Sequence, residues 1–72
     1  MKNNDFLKLG YKIKYERIKK NLSQMELSLN SGITTRTLSR IECGSIDPRY
    51  STLLKIANSL DIELKDLLDF RL

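Results

Sequence analysis

The chain contains no histidine and only one cysteine, Cys43, so it can form no internal disulfide and cannot assemble an ordinary zinc site. Its core has to hold by packing alone. With no second thiol to resolve it, Cys43 reads as a small residue at a helix end rather than a redox centre. No apolar run approaches the length that crosses a bilayer, about 20 residues, and the start Met1-Lys-Asn-Asn-Asp5 lacks the apolar stretch of a signal peptide. A complete chain of this kind is expected in the cytoplasm, without a membrane partner. Paired carboxylates at a pocket and a glycine-rich phosphate loop are also missing, so no enzyme, no metal and no cofactor is expected. The 72 residues leave room for one domain over 1–72 and no second one. At that size about 60% of the unfolded surface can be buried, which predicts modest stability and no attached domain for a small-molecule ligand.

What is present is an uneven charge. Thirteen Lys and Arg against nine Asp and Glu give a net charge of +4, and its placement says more than its size. Residues 1–49 carry ten basic and five acidic residues, and residues 50–72 carry three and four. The first part is therefore +5 and the second −1. A phosphate-facing surface requires such clustering. Taken singly, Lys8, Lys12, Lys19 and Lys20 read more simply as a solvated face.

Apolar spacing predicts helices throughout, with no strand alternation, internal repeat or low-complexity segment. From Asp5 to Lys20 there is no proline, and Phe6, Leu9, Ile13 and Arg17 share one stripe of a first helix. Asn21-Leu22 is a break. Ser23 with Glu26 is a capping box, so a second helix starts there and runs to about Asn30. Gly32 turns the chain, and a third helix runs from about Thr35 to Cys43, stopped by Gly44. Two short helices across one tight turn, over about 23–43, make a helix-turn-helix. The second of them opens with Thr34, Thr35, Arg36 and Thr37 and carries Arg40 one turn on, side chains suited to base edges and phosphates. Gly44 to Arg49 forms a loop around Pro48. A fourth helix follows with Tyr50, Leu53, Leu54, Ala57 and Leu60 inward, and Asp61 breaks it. Leu64, Leu67 and Leu68 form the buried or partner-facing stripe of a fifth helix ending near Phe70, within an expected dimerisation segment at about 62–72.

From Leu9 to Leu68 the chain resembles the lambda-repressor and Cro-like, or XRE-type, helix-turn-helix family. The matching elements are Leu9-Gly-Tyr-Lys-Ile13, Leu22-Ser-Gln-Met-Glu-Leu27, Ser31-Gly-Ile-Thr34, Leu38-Ser-Arg-Ile-Glu42 with Gly44, Pro48, and Thr52-Leu-Leu-Lys-Ile-Ala57. Any one of them is weak; their order and spacing are specific. The resemblance implies an all-α, five-helix DNA-binding domain whose third helix enters the major groove. It implies base contacts from Thr35, Arg36, Thr37 and Arg40. Phosphate contacts are implied for Ser23, Gln24, Thr34, Ser45, Arg49 and Tyr50, with Thr34 also capping the third helix. Arg17 and Glu42 stand where the family commonly has an ion pair, which would account for a charge on the inward stripe of helix one. Ser28 stands where alanine is frequent, and the loop Ser45-Ile46-Asp47 lacks the usual basic residue.

The function so implied is a sequence-specific transcriptional regulator that binds double-stranded DNA as a homodimer over an inverted repeat. Leu64, Leu67, Leu68 and Phe70 are the expected dimer interface, with Leu67 and Phe70 favoured. The alternative is a protein-interaction module on the same fold, an antitoxin or adaptor, with Ile46, Leu64 and Phe70-Arg-Leu72 as its candidate contact surface.

Overall fold

Two hydroxyl side chains set the geometry of the central motif. Ser23 Oγ accepts from Glu26 N at 3.0 Å while Glu26 Oε1 accepts from Ser23 N at 2.8 Å, so both exposed backbone donors are satisfied and helix α2 (Gln24–Ser31) begins. Thr34 Oγ1 accepts from Thr37 N at 3.1 Å and opens α3 (Thr35–Glu42) in the same way. The computed structural model describes residues 3–69, and the remaining helices are α1 (Asn3–Lys19), α4 (Tyr50–Ser59) and α5 (Leu64–Leu67). Among the described residues there is no strand. The protein is an all-helical, five-helix fold.

The four longer helices end alike. Asn21, Gly32, Gly44 and Asp61 all take positive φ, at 59°, 74°, 72° and 57°. The next residue then donates back into the helix it leaves, as Leu22 N does to Arg17 O at 3.1 Å and Ser45 N to Arg40 O at 2.9 Å. This left-handed stop satisfies carbonyls that the helix leaves open. Gly44 is required there for a second reason, because a Cβ would stand 2.9 Å from the Leu7 backbone.

The core is drawn from every helix: Leu9 and Ile13 of α1, Leu27 of α2, Leu38 and Ile41 of α3, Leu53, Ile56 and Ala57 of α4, Leu60 at its end and Leu67 of α5. Each such aliphatic side chain contributes about 1.5–3 kcal/mol by leaving water. Helix α1 packs on α3, α2 on both α3 and α4, and α5 closes against α4 and α1. Gly10 makes the first of these crossings possible. A Cβ there would lie 2.7 Å from the Ile41 carbonyl oxygen and closer still to that of Glu42.

Two expectations are corrected. Tyr50 is not on the inward face of α4 but 67% exposed, and Leu54 is only half-buried. The helix starts at Tyr50, and its buried stripe is Leu53, Ile56 and Ala57 with Leu60 at its end, spaced three, one and three residues apart, so Tyr50 is the exposed first residue before it. Leu67 is not a surface contact either: it is completely buried in its own subunit's core, because α5 is a single turn that plugs Leu67 against α4 and α1. Leu64 is half-buried against the same core, and Leu68 is 43% exposed. Phe70 and Leu72 lie outside the described residues.

Candidate nucleic-acid interface

Arg17 sits on the buried stripe of α1 and meets Glu42 at the end of α3. Its Nε donates to Glu42 Oε2 at 2.7 Å and its Nη2 to Glu42 Oε1 at 3.1 Å, with the residues only 8% and 6% exposed. The third guanidinium nitrogen, Nη1, donates to the Leu22 carbonyl at 2.7 Å. Gln24 Nε2 adds a further donor to Glu42 Oε1 at 3.0 Å. Every guanidinium nitrogen and both carboxylate oxygens thus have a hydrogen-bond partner, which a buried charge requires. Among the described residues no buried side-chain polar atom is left without a partner. One consequence is electrostatic. Glu42 is the only acid in α3, and Arg17 neutralises it away from the surface, so the exposed charge of α3 is that of Arg36 and Arg40.

The outward face of α3 carries Thr35, Arg36 and Arg40, all exposed, with Thr37 half-buried beside them. Leu38 and Ile41 on the opposite side hold the helix in the core. Hydroxyl contacts tie the start of this helix to the turn. Thr34 Oγ1 donates to Thr37 Oγ1 at 3.0 Å, and Thr35 Oγ1 lies 3.0 Å from Ser28 Oγ of α2. Ser28 is a residue whose polar role the sequence did not disclose. Read as a small substitute for alanine, it in fact bonds both helices of the motif, to Thr35 and to the Met25 carbonyl at 2.7 Å.

The other candidate contacts flank this face. Ser23 is exposed at the start of α2, with its oxygen already capping that helix, and Gln24 next to it is half-buried. Ser45 and Arg49 are exposed on the connection from α3 to α4 and Tyr50 is exposed as the first residue of α4; Arg49 is the N-cap of α4 but makes no side-chain cap bond. Its side chain is uncommitted to the helix start. Asp47 is exposed in the same loop and subtracts from its positive charge. Of the surface offered for a protein partner, Ile46 and Leu64 are half-buried against the core, and Phe70 and Leu72 fall outside the described residues.

Cys43 is exposed at the end of α3. With Leu7, Tyr11, Lys14, Gln24 and Glu42 it lines an open depression of about 280 Å³ beside the ion pair. No group of His, Cys, Asp and Glu able to hold a metal occurs among the described residues, and none of their helices is long and apolar enough to cross a membrane.

Comparison with known proteins gives the same frame. Residues 13–67 match the helix-turn-helix family. The chain is similar to control protein C.BamHI of Bacillus amyloliquefaciens, 35% identical over 71 residues that cover 97% of this chain and 88% of that one. It is also similar to an HTH-type transcriptional regulator, y4dL, of Sinorhizobium fredii, 42% identical over 43 residues, although these are 60% of this chain and only 22% of that protein's length. Among solved structures, the restriction-modification controller protein C.AhdI from Aeromonas hydrophila superposes with a TM-score of 0.88 at 33% identity, covering 89% of this chain and 97% of that one. With a capped helix-turn-helix, a basic α3 and these relatives, the chain belongs to the XRE-type, lambda-repressor and Cro-like helix-turn-helix family, whose members are DNA-binding transcriptional regulators and not enzymes.

Proposed function

We propose that this protein is a regulator of the restriction-modification controller type, which binds an inverted-repeat operator as a homodimer with α3 in the major groove. The observation that carries the reading is the near end-to-end similarity to C.BamHI and C.AhdI, two proteins described as controllers. The geometry supports it through an exposed Arg36 and Arg40 on a helix whose only carboxylate is neutralised. Arginine reads guanine bidentately through O6 and N7, and Thr35 and Thr37 supply neighbouring contacts. Ser23, Gln24, Thr34, Ser45, Arg49 and Tyr50 fix the helix on the phosphates. Two-fold pairing through Leu68 and the residues after it would set two α3 helices about one DNA turn apart.

The test is a binding selection from random duplexes, then footprinting on DNA upstream of this gene and of any adjacent restriction or modification gene. A symmetric pair of half-sites, bound at least about 10³-fold better than random DNA and weakening as salt rises, is the expected result. Equal binding to selected and random duplexes would refute the proposal. A second reading, an adaptor for another protein, is favoured by the exposed row Leu7, Tyr11, Tyr15 and Ile18 along α1. It predicts that substitutions in that row abolish function in the cell while leaving the footprint intact.

A further inference from the structure

From the hydroxyl network at the start of α3 we infer that Thr35 offers a DNA base only a hydrogen-bond acceptor, and that Ser28, buried behind it, imposes this polarity. The inference rests on the reading that α3 faces base edges. It follows from counting protons. A serine hydroxyl has one hydrogen to donate. Ser28 Oγ stands 2.7 Å from the Met25 carbonyl oxygen, which can only accept, so Ser28's hydrogen is spent there. The Ser28 to Thr35 contact at 3.0 Å therefore has to use the hydrogen of Thr35. Ser28 is only 6% exposed, so its hydroxyl is largely shielded from solvent. Thr35, which is exposed, is left with free lone pairs on its oxygen. Two residues on, the count comes out the other way. Thr34 donates to Thr37 Oγ1 at 3.0 Å, so Thr37 keeps its own hydrogen free to donate.

An outward acceptor selects among bases. In the major groove adenine and cytosine present exocyclic amino donors, at N6 and N4, whereas guanine O6 and thymine O4 are acceptors. Facing Thr35, a keto base would set two acceptors against each other, and an amino base would complete the network. The position contacted by Thr35 is accordingly adenine or cytosine on the contacted strand.

The experiment uses full-length wild type, Thr35→Val and Ser28→Ala, each checked for an unchanged unfolding midpoint. Thr35→Val keeps the shape and removes the oxygen, while Ser28→Ala keeps the packing and releases the Thr35 hydrogen. Selection from random duplexes should give wild type one position per half-site with adenine or cytosine favoured over guanine and thymine, and Thr35→Val should lose that preference alone. At this position an analogue lacking the exocyclic amino group should bind wild type about three- to tenfold more weakly, as loss of one neutral hydrogen bond implies. Thr35→Val should bind both duplexes equally. Ser28→Ala should accept guanine and thymine there with the other positions unchanged. A Thr35-dependent preference for guanine or thymine, an analogue that binds wild type at full strength, or a Ser28→Ala profile identical to wild type overturns the inference. So does a Thr35→Val profile that matches wild type, in which case specific DNA binding itself still stands. Failure of wild type to select any sequence instead removes the DNA reading on which it rests.

Discussion

Arg17 and Glu42, 25 positions apart, are locked by two hydrogen bonds of 2.7 and 3.1 Å that tie the end of α1 to the end of α3. The tie is mechanical as well as electrostatic. It fixes the base of the helix that carries Arg36 and Arg40, and it holds the amide of Gln24 through Glu42 Oε1.

Breaking this pair from one side strands a buried carboxylate. Arg17→Met is expected to cost about 3–5 kcal/mol in denaturant unfolding, and Arg17→Met with Glu42→Leu to regain much of that loss, because an apolar pair needs no compensation. Strictly additive losses in the four-variant cycle would show that the two residues are not energetically coupled.

Gly10 supplies a test of sign. In an exposed helix interior, Gly→Ala stabilises by about 0.5–1 kcal/mol. Here the new Cβ would meet the Ile41 and Glu42 carbonyls, so Gly10→Ala is expected to destabilise by about 1–3 kcal/mol, the usual penalty of overpacking. A raised thermal midpoint would refute the close crossing of α1 over α3.

Base readers and phosphate anchors should separate in binding profiles. Arg36→Ala is expected to cost about 1–3 kcal/mol and to relax preference at one position of each half-site. Gln24→Ala should weaken binding nearly evenly across sequences, with a small loss of stability because its hydrogen bond to Glu42 goes too. An unchanged profile for Arg36→Ala would exclude it as a base reader.

The C-terminal leucines should divide in the same way. Leu67→Ala empties a core site and is expected to lower stability by about 2–5 kcal/mol at any protein concentration. Leu68→Lys, on the surface, is expected to leave the monomer folded while lowering its sedimentation coefficient at micromolar concentration and weakening operator binding. A wild type that sediments as a monomer, both free and on its operator, would overturn the homodimer.

Helix starts, helix stops and the periodicity of apolar residues were legible in the chain because they are local. Ser23 with Glu26, Thr34 three residues before Thr37, and Gly44 each act within one turn, where spacing along the sequence equals spacing in space. That Arg36 and Arg40 lie together on the exposed side of α3 was legible for the same reason, since helical geometry alone puts them on one face. The fate of Tyr50 and Leu67 was not. Both fall on plausible apolar stripes, and which of them is covered depends on where α4 begins and how α5 seats against α4 and α1. A four-residue helix has too few turns for periodicity to choose its inner face. The roles of Gly10 and Ser28 were hidden for a related reason. The meaning of a missing Cβ or of one hydroxyl lies in what stands opposite it: a carbonyl on another helix for Gly10, the Thr35 hydroxyl across the turn for Ser28. The sequence by itself determined the five helices and the charge of the third. Only the tertiary structure decided which leucine is core and what the Thr35 hydroxyl meets, because both depend on contacts between one helix and another that no local pattern encodes.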